Sequence, residues 1–266
     1  MALKIDSTIV HTAATETIMQ NTEAFTAGTN GAIRVATENI MGDLQETSML
    51  QEISSLIGRR DIASDSAATA KTIDSRDENN IKMYWGTGLI SFKAVDATRY
   101  GSDSESFSFA IGEQIGAGIV AYTLNQSIRA VRASIESQAG LVTGDGTAAI
   151  TATLLNSSLR PMGDASEKIV CWVMKGVTHN TLVGSAIATG GADVAYGAIY
   201  TGTTGTLNKP VYVTDSVGLD MTAGVGVLGL TVDAIIATET ATRQFLSGYE
   251  KGKENIVYEI QGEGEF

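Results

Sequence analysis

The chain has 266 residues, enough for one large domain or two small ones, and 43% of them are hydrophobic, enough to build a core. Its formal net charge is −12, and no block of Lys or Arg supplies the basic face with which nucleic-acid readers neutralise phosphates. One cysteine, Cys171, excludes an intramolecular disulfide framework, and no apolar stretch is long enough to predict a membrane span or a secretory signal.

The first 57 residues predict an arm followed by helix. Residues 1–30 are polar, rich in Thr and Ala, and end in a loop signal, a pattern typical of an arm that is ordered only when it lies on something. Residues 32–57 carry apolar side chains at helical spacing and predict one or two helices, broken near Gly42.

The next region leans towards β-structure and has few apolar residues. Short strands are predicted at Thr69–Ile73, Ile81–Trp85 and Leu89–Val95, with the polar segment Asp74–Asn80 as the turn between the first two. A long hairpin of this composition cannot build its own core. We therefore expect it to need a neighbouring surface.

The stretch Ser102–Gly140 has the pattern of one uninterrupted helix. Ser102 and Glu105 stand at capping-box spacing, and Gly140 is a natural stop. Such a helix would be roughly 50 Å long, which suits a long, flat building block better than a round enzyme. Its apolar stripe recurs every three or four residues and consists of Phe107, Ile111, Ile115, Ile119, Tyr122, Leu124, Ile128, Val131 and Ile135.

Two glycines on this helix, Gly112 and Gly116, thin one of its faces. Their spacing predicts that another backbone approaches closely there. The alternative is that they only lower helix propensity, by about 1 kcal/mol each. The helical pattern survives these two glycines and Gly118 as well, which favours a packing role.

Beyond the long helix, helices and strands alternate. A short helix is predicted over Thr147–Leu159, a buried strand over Lys168–Met174, a helix over Thr178–Ala188 and a Gly-rich loop over 190–208. The remaining predictions are strands at 210–214, 225–232, 234–239 and 255–261, with a turn at 248–253.

No residue pattern indicates catalysis, a cofactor or a metal. Gly224, Gly226 and Gly229 match GxGxxG, but strand-forming residues follow where the dinucleotide motif requires a helix, which favours an ordinary turn. Cys171 lies in an apolar strand pattern, where a thiol stays protonated instead of pairing with His179. The two histidines form no zinc motif, and the nucleophile-elbow and P-loop motifs are missing from the sequence.

Charged residues of the hairpin region are the candidates for contacts between subunits. The pair Arg59-Arg60 suits bidentate pairing with carboxylates of a neighbour, the alternative being a free surface pair. The segment Asp74–Asn80 fails the calcium-loop pattern because Arg76 stands at an oxygen position, so a solvated or intersubunit charge cluster is favoured. The candidate contact residues are Arg59, Arg60, Asp61, Lys71, Arg76, Asp77 and Glu78.

The order of these segments resembles the major capsid (coat) proteins of tailed bacteriophages, whose Hong Kong 97-type fold is shared with encapsulins. The resemblance covers residues 31–266 and depends on segment order, with the long helix between two groups of loose motifs. Those motifs are Gly31–Arg34, Gly42–Leu44 and Leu56–Asp61 in the first group, and Cys171–Gly176, Leu182 and Val211–Asp215 in the second.

The resemblance implies an α+β phage-capsid fold with four parts. Residues 1–45 would form an N-terminal arm and first helix, and residues 46–98 an extended β-hairpin loop over the next subunit. Residues 99–141 and 232–266 would form a peripheral domain with the long helix as its spine. Residues 142–231 would form an axial domain whose Gly-rich loop faces the capsomer axis.

The resemblance also implies a function. The protein would be a structural subunit and no enzyme, assembling without cofactors into pentamers and hexamers of an icosahedral or prolate shell around double-stranded DNA. Its partners would be other copies of itself, a portal protein, a separate scaffolding protein or none, with or without a decoration protein, and it would bind neither specific DNA sequences nor a membrane. It would be located in the virion after assembly in the bacterial cytoplasm. The alternatives are an encapsulin-like compartment shell, which would enclose cargo enzymes, and an unrelated enzyme or binding domain.

Overall fold

The computed structural model describes residues 5–37, 43–50, 72–73, 75–95, 103–144, 148–188, 207, 209–221, 224–239, 243–250 and 254–266. Its helices are α1 (Ser7–Gly28), α2 (Ser104–Glu136), α3 (Ala152–Leu159) and α4 (Gly176–Ala188). Its strands are β1 (Ile33–Thr37), β2 (Leu44–Leu50), β3 (Ser75–Ile81), β4 (Tyr84–Gly86), β5 (Ile90–Lys93), β6 (Ile169–Met174), β7 (Val211–Val213), β8 (Asp220–Met221), β9 (Gly224–Val225), β10 (Leu228–Thr231), β11 (Ile235–Glu239), β12 (Gln244–Glu250) and β13 (Val257–Glu265). This mixture confirms the predicted α+β class.

The helix α1 packs on its own subunit, so the prediction of an arm over residues 1–30 is wrong for Ser7–Gly28, while residues 1–4 lie outside the described residues. Asp6 caps α1 by accepting a hydrogen bond from the Thr8 amide at 2.9 Å. Val10 and Ile18 are buried against α2, together with two alanines between them. A face built largely from alanine buries little area per residue, so composition alone suggested a solvated segment, whereas packing on α2 decided the structure.

Two strands replace the helices predicted over residues 32–57. In β1, Ile33 is buried and Arg34 is exposed, and the strand pairs in parallel with β11. The strand β2 pairs with β3 in antiparallel fashion. The helical prediction is wrong for β1 and β2 because spacing along the chain does not show which distant segments will pair, and partner strands distant in sequence decided the outcome. Residues 38–42 and 51–57 lie outside the described residues.

The long helix is confirmed as one continuous element of 33 residues, α2. Asp103 caps it by accepting from the Ser106 amide at 2.9 Å, and the hydrogen bonds from Ser106 hold the pKa of Asp103 below its ordinary value. The predicted cap, Ser102, lies outside the described residues, and the helix ends at Glu136 instead of Gly140. Four members of the predicted stripe are buried, namely Ile115, Ile119, Leu124 and Ile128.

The backbones of α1 and α2 meet at two glycines, as predicted. A Cβ atom on Gly112 would lie 2.6 Å from the carbonyl oxygen of Val10, and one on Gly116 would lie 2.8 Å from that of Ala14. A Cβ atom on Gly118 would meet nothing within 4 Å. The first two glycines therefore permit the helix pair, whereas the third has no packing role among the described residues.

Two hydrophobic cores share the helix α2. Its N-terminal half packs with α1 and with the sheet of β12 and β13, through Ile115, Ile119, Val120, Val10, Ile18, Phe245 and Ile260. Its C-terminal half packs with β6, β10 and β11, through Leu124, Ile128, Cys171, Val173, Leu228, Leu230 and Ile235. The long helix therefore aligns the two halves of the subunit.

Polar contacts fix the second half to the helix. The Arg132 guanidinium of α2 donates to the carbonyl of Gly218 at 2.8 Å and also to the carbonyl of Asp220. The carboxylate of Asp220 pairs in turn with Lys175, at 2.5 Å. These bonds hold the short helical turn Val217–Leu219 against the C-terminal part of α2.

Most predictions for the C-terminal half are confirmed. The strands β6, β7, β11 and β13 and the helix α4 lie where the sequence predicts them, while α3 begins only at Ala152. The predicted strand over 225–232 contains β10, preceded by the short strand β9. The turn predicted over 248–253 is wrong for its first residues, which belong to β12, a strand the sequence prediction missed. Most of the loop predicted over 190–208 lies outside the described residues.

Candidate assembly surface

The strands β2 and β3 form a two-stranded antiparallel ribbon, here called the ribbon. Its register runs from Leu44 opposite Ile81 to Leu50 opposite Ser75. The turn predicted over 74–80 is therefore wrong for Ser75–Asn80, because β2 supplies a partner that the sequence prediction had assigned to a helix. Of the strand predicted over 69–73, the described residues 72–73 are not in a strand.

The described side chains of the ribbon are all exposed, including its large apolar ones. Leu44 is 58% exposed, Leu50 69% and Ile81 70%. Leu44 and Ile81 lie directly opposite each other at the base of the ribbon. An isolated two-stranded hairpin is marginally stable in water, and exposed apolar residues of this size favour burial against another surface. The ribbon thus has the properties of a contact element.

The ribbon carries some of the charged residues predicted to contact other subunits. Arg76, Asp77 and Glu78 lie in β3, opposite Met49, Ser48 and Thr47 of β2. The other four predicted contact residues, Arg59, Arg60, Asp61 and Lys71, lie outside the described residues. The structure therefore brings three of the seven together on one strand and leaves the contacts of all seven as predictions.

The base of the ribbon adjoins the C-terminal sheet, in which β13 lies between β12 on one side and β4 and β5 on the other. The Lys82 amide donates to the Asp43 carbonyl at 3.0 Å, and Met83 exchanges two backbone hydrogen bonds with Phe266. Lys82 Nζ lies 3.0 Å from Glu265 Oε2. The Tyr84 hydroxyl donates to the Asp43 carboxylate, which raises the pKa of Tyr84 above its ordinary value.

Asp43 belongs to one of the motifs that carry the resemblance, but no sequence pattern marked Asp43, Tyr84 or Glu265 as a contact residue. All three residues stand at the ends of strands, and Tyr84 follows the ribbon after two intervening residues, Lys82 and Met83. That position is the only signal that could have identified them. Their proximity depends on the pairing of β4 with β13, which joins segments distant in sequence.

The described residues contain no arrangement typical of catalysis or metal binding. Cys171 is buried in β6, and burial raises the pKa of its thiol to about 11. His179 is buried in α4, and burial lowers the pKa of its imidazole. Within the described ranges, no three His, Cys, Asp or Glu side chains cluster in a way that could hold a metal ion. No described helix is long and apolar enough to cross a membrane.

The raised pKa of Cys171 predicts an unreactive thiol. At pH 8 the thiolate fraction would be about one in a thousand, because the pH lies about three units below a pKa of about 11. We expect iodoacetamide to modify Cys171 only after unfolding in urea, as measured by mass spectrometry, while an exposed cysteine in a Leu246→Cys variant reacts quickly. Equal reaction rates at the two cysteines in the folded protein would contradict this expectation.

A family model described as Gp13-like, major capsid protein 13-like, matches residues 2–266. No curated protein sequence matches the chain significantly.

Solved structures from three phages have similar folds. One from Microbacterium phage Oxtober96 has a TM-score of 0.52 at 10% identity, covering 89% of this chain and 82% of that one. One from Mycobacterium phage Che8 has a TM-score of 0.50 at 13% identity, covering 85% and 80%. One from Gordonia phage Cozz has a TM-score of 0.50 at 13% identity, covering 88% and 80%. At such low identities these likenesses concern the fold alone. Together with the family match, they confirm the predicted phage-capsid fold.

Proposed function

The chain belongs to the Gp13-like family of major capsid proteins, and from that membership we propose that its copies assemble into pentamers and hexamers of a closed shell around the double-stranded DNA of a tailed phage. The shell would be icosahedral or prolate, and the fold would be of the Hong Kong 97 type. The family match favours a phage capsid over an encapsulin-like compartment. The protein would act by assembly alone, without catalysis.

The exposed ribbon is the observation that supports assembly most directly. Burying a large aliphatic side chain contributes about 1.5–3 kcal/mol, and the ribbon offers three such side chains, Leu44, Leu50 and Ile81. Such a contact is weak between two subunits alone. In a closed shell, however, the ribbon of each subunit would contact one neighbour, and each subunit would in turn be contacted by the ribbon of another. The charged residues Arg59, Arg60, Asp61, Lys71, Arg76, Asp77 and Glu78 would add ion pairs across the same contact.

We propose that the parts of the subunit have the boundaries predicted from the sequence. Residues 1–45 would be the N-terminal part and residues 46–98 the extended loop. The described strands of the loop are most of β2 together with β3, β4 and β5. Residues 99–141 with 232–266 would form the peripheral domain, and 142–231 the axial domain. The net charge of −12 supports a container that encloses DNA without adhering to it. Portal, scaffolding and decoration proteins would be its partners, and assembly would take place in the bacterial cytoplasm.

The double variant Leu44→Thr/Ile81→Thr tests the role of the ribbon. Threonine keeps the β-propensity of both positions but removes apolar contact area, so we expect folded subunits that form few or no shells. Size-exclusion chromatography and negative-stain electron microscopy measure assembly, and circular dichroism measures the subunit fold. Val232→Thr is the matched control, since Val232 is 56% exposed and lies outside the ribbon. Normal shells from the double variant would refute the proposed contact.

A further inference from the structure

We propose that the Lys82–Glu265 ion pair and the Tyr84–Asp43 hydrogen bond form a two-point latch that fixes the angle between the ribbon and the rest of the subunit. Through that angle the latch would set the curvature of the shell. The statement about curvature rests on the proposed function, because it requires the ribbon to contact a neighbouring subunit. The statement about the angle concerns the isolated subunit alone.

The backbone by itself provides a hinge at this point. The Lys82 amide makes the last hydrogen bond of the ribbon, to the carbonyl of Asp43 at 3.0 Å. The next residue, Met83, is already bonded through both backbone groups to Phe266, at 2.8 and 3.0 Å. The chain thus passes from the ribbon to the C-terminal sheet across one peptide unit. Two-stranded ribbons twist readily, and the side chains that the structure describes on this ribbon are exposed, so those side chains do not orient it by packing.

Each side-chain tie spans this hinge. Lys82 and Asp43 belong to the ribbon side, one next to each strand, whereas Glu265 and Tyr84 belong to the sheet. Tyr84 and Glu265 are direct cross-strand partners in β4 and β13, so both ties are anchored at one place. With one side-chain contact, the ribbon could still rotate about that contact. Two contacts, one to each strand of the ribbon, prevent this rotation.

The surroundings of the ion pair favour an ordered contact. The Lys82 side chain is only 12% exposed and that of Glu265 28%, so solvent screens this pair less than it screens an exposed one. Hydrogen bonds to charged groups are among the stronger ones in proteins. At that strength the partly buried ion pair alone changes the ratio between two ribbon orientations by roughly tenfold. The Tyr84–Asp43 hydrogen bond is exposed and serves to hold the second strand of the ribbon. Global stability depends chiefly on the cores, to which these four residues contribute little.

A distance measurement on the free subunit tests the latch directly. Cysteines introduced as Leu50→Cys in the ribbon and Leu246→Cys in β12 carry spin labels, while Cys171 is buried. Double electron–electron resonance should give one narrow distance distribution with the latch intact. The double variant Lys82→Met/Tyr84→Phe should give a broad or bimodal distribution. An unchanged narrow distribution in that variant would overturn the latch.

Two further variants separate the latch from a general loss of charge or stability. Arg34→Met removes an ion pair of similar length, 2.9 Å to Asp233, that lies away from the hinge and should leave the distribution narrow. The charge-swapped variant Lys82→Glu/Glu265→Lys retains Tyr84 and can form the same ion pair with its charges exchanged, so its distance distribution should stay narrow. The thermal unfolding midpoint of the latch variant should shift by less than about 4 °C. A larger shift, or a broad distribution in Arg34→Met, would indicate a merely structural role and overturn the latch.

Electron microscopy of unlabelled shells tests the second half of the inference. Latch variants should yield shells of mixed diameter or open sheets, whereas Arg34→Met should yield uniform shells. Uniform shells from a variant whose ribbon angle is broad would overturn the link to curvature. If the unaltered protein forms no shells, the proposed function fails, and the distance measurement still decides whether the latch exists.

Discussion

Gly112→Val is expected to separate α1 from α2 and to destabilise the subunit by about 3 kcal/mol, the upper part of the range for overpacked sites. The first atom of the new side chain would already lie 2.6 Å from the carbonyl oxygen of Val10 and 2.7 Å from Cβ of Ala13. The carbonyl oxygen is part of the helical backbone and cannot rotate away, so the whole of α1 must shift. Urea unfolding of the free subunit, followed by circular dichroism, measures the loss of stability.

Gly118→Val is the matched control for this substitution. It places the same side chain on the same helix, but a Cβ atom at Gly118 meets nothing within 4 Å. Valine and glycine differ by only a few tenths of a kcal/mol in helix propensity, so the unfolding free energy should change by less than about 0.5 kcal/mol. Equal effects at the two positions would show that α1 does not pack on α2 as described.

Ala121→Pro is expected to abolish assembly and to leave much of the protein insoluble. Proline removes one backbone hydrogen bond and clashes with the preceding turn, which costs about 3 kcal/mol or more in a helix interior. Ala121 is exposed and lies in the body of α2, far from both ends, so the substitution tests helix continuity and not core packing. A kink there would also misalign the two cores that share α2. Soluble yield and electron microscopy of shells measure the outcome.

Ala121→Ser controls for the change of side chain at this position. Serine costs only a few tenths of a kcal/mol in helix propensity, so soluble yield and shell formation should match those of the unaltered protein. Normal shells from Ala121→Pro would mean that α2 is not a continuous spine, and the alignment of the two cores would need another explanation.

The sequence by itself determined the elements whose pattern is local and long. The stripe of α2 repeats over about eight turns of helix, too many to arise by chance. The helix was therefore predictable, although its cap, Asp103, was missed. The close approach at Gly112 and Gly116 was predictable for a similar reason, because two glycines one turn apart thin a helix face whatever packs there. The buried strand β6 followed from its uninterrupted apolar run.

Only the tertiary structure decided the N-terminal helix, the ribbon and its base. Residues 32–57 have a spacing that fits a helix, but parts of this segment pair with β11 and β3 and therefore form the strands β1 and β2. Asp43, Tyr84 and Glu265 come from three separate parts of the chain, and no local pattern relates them. The physical reason is that local spacing encodes which face of an element is apolar, whereas strand pairing and side-chain ties depend on partners that become neighbours only when the chain folds.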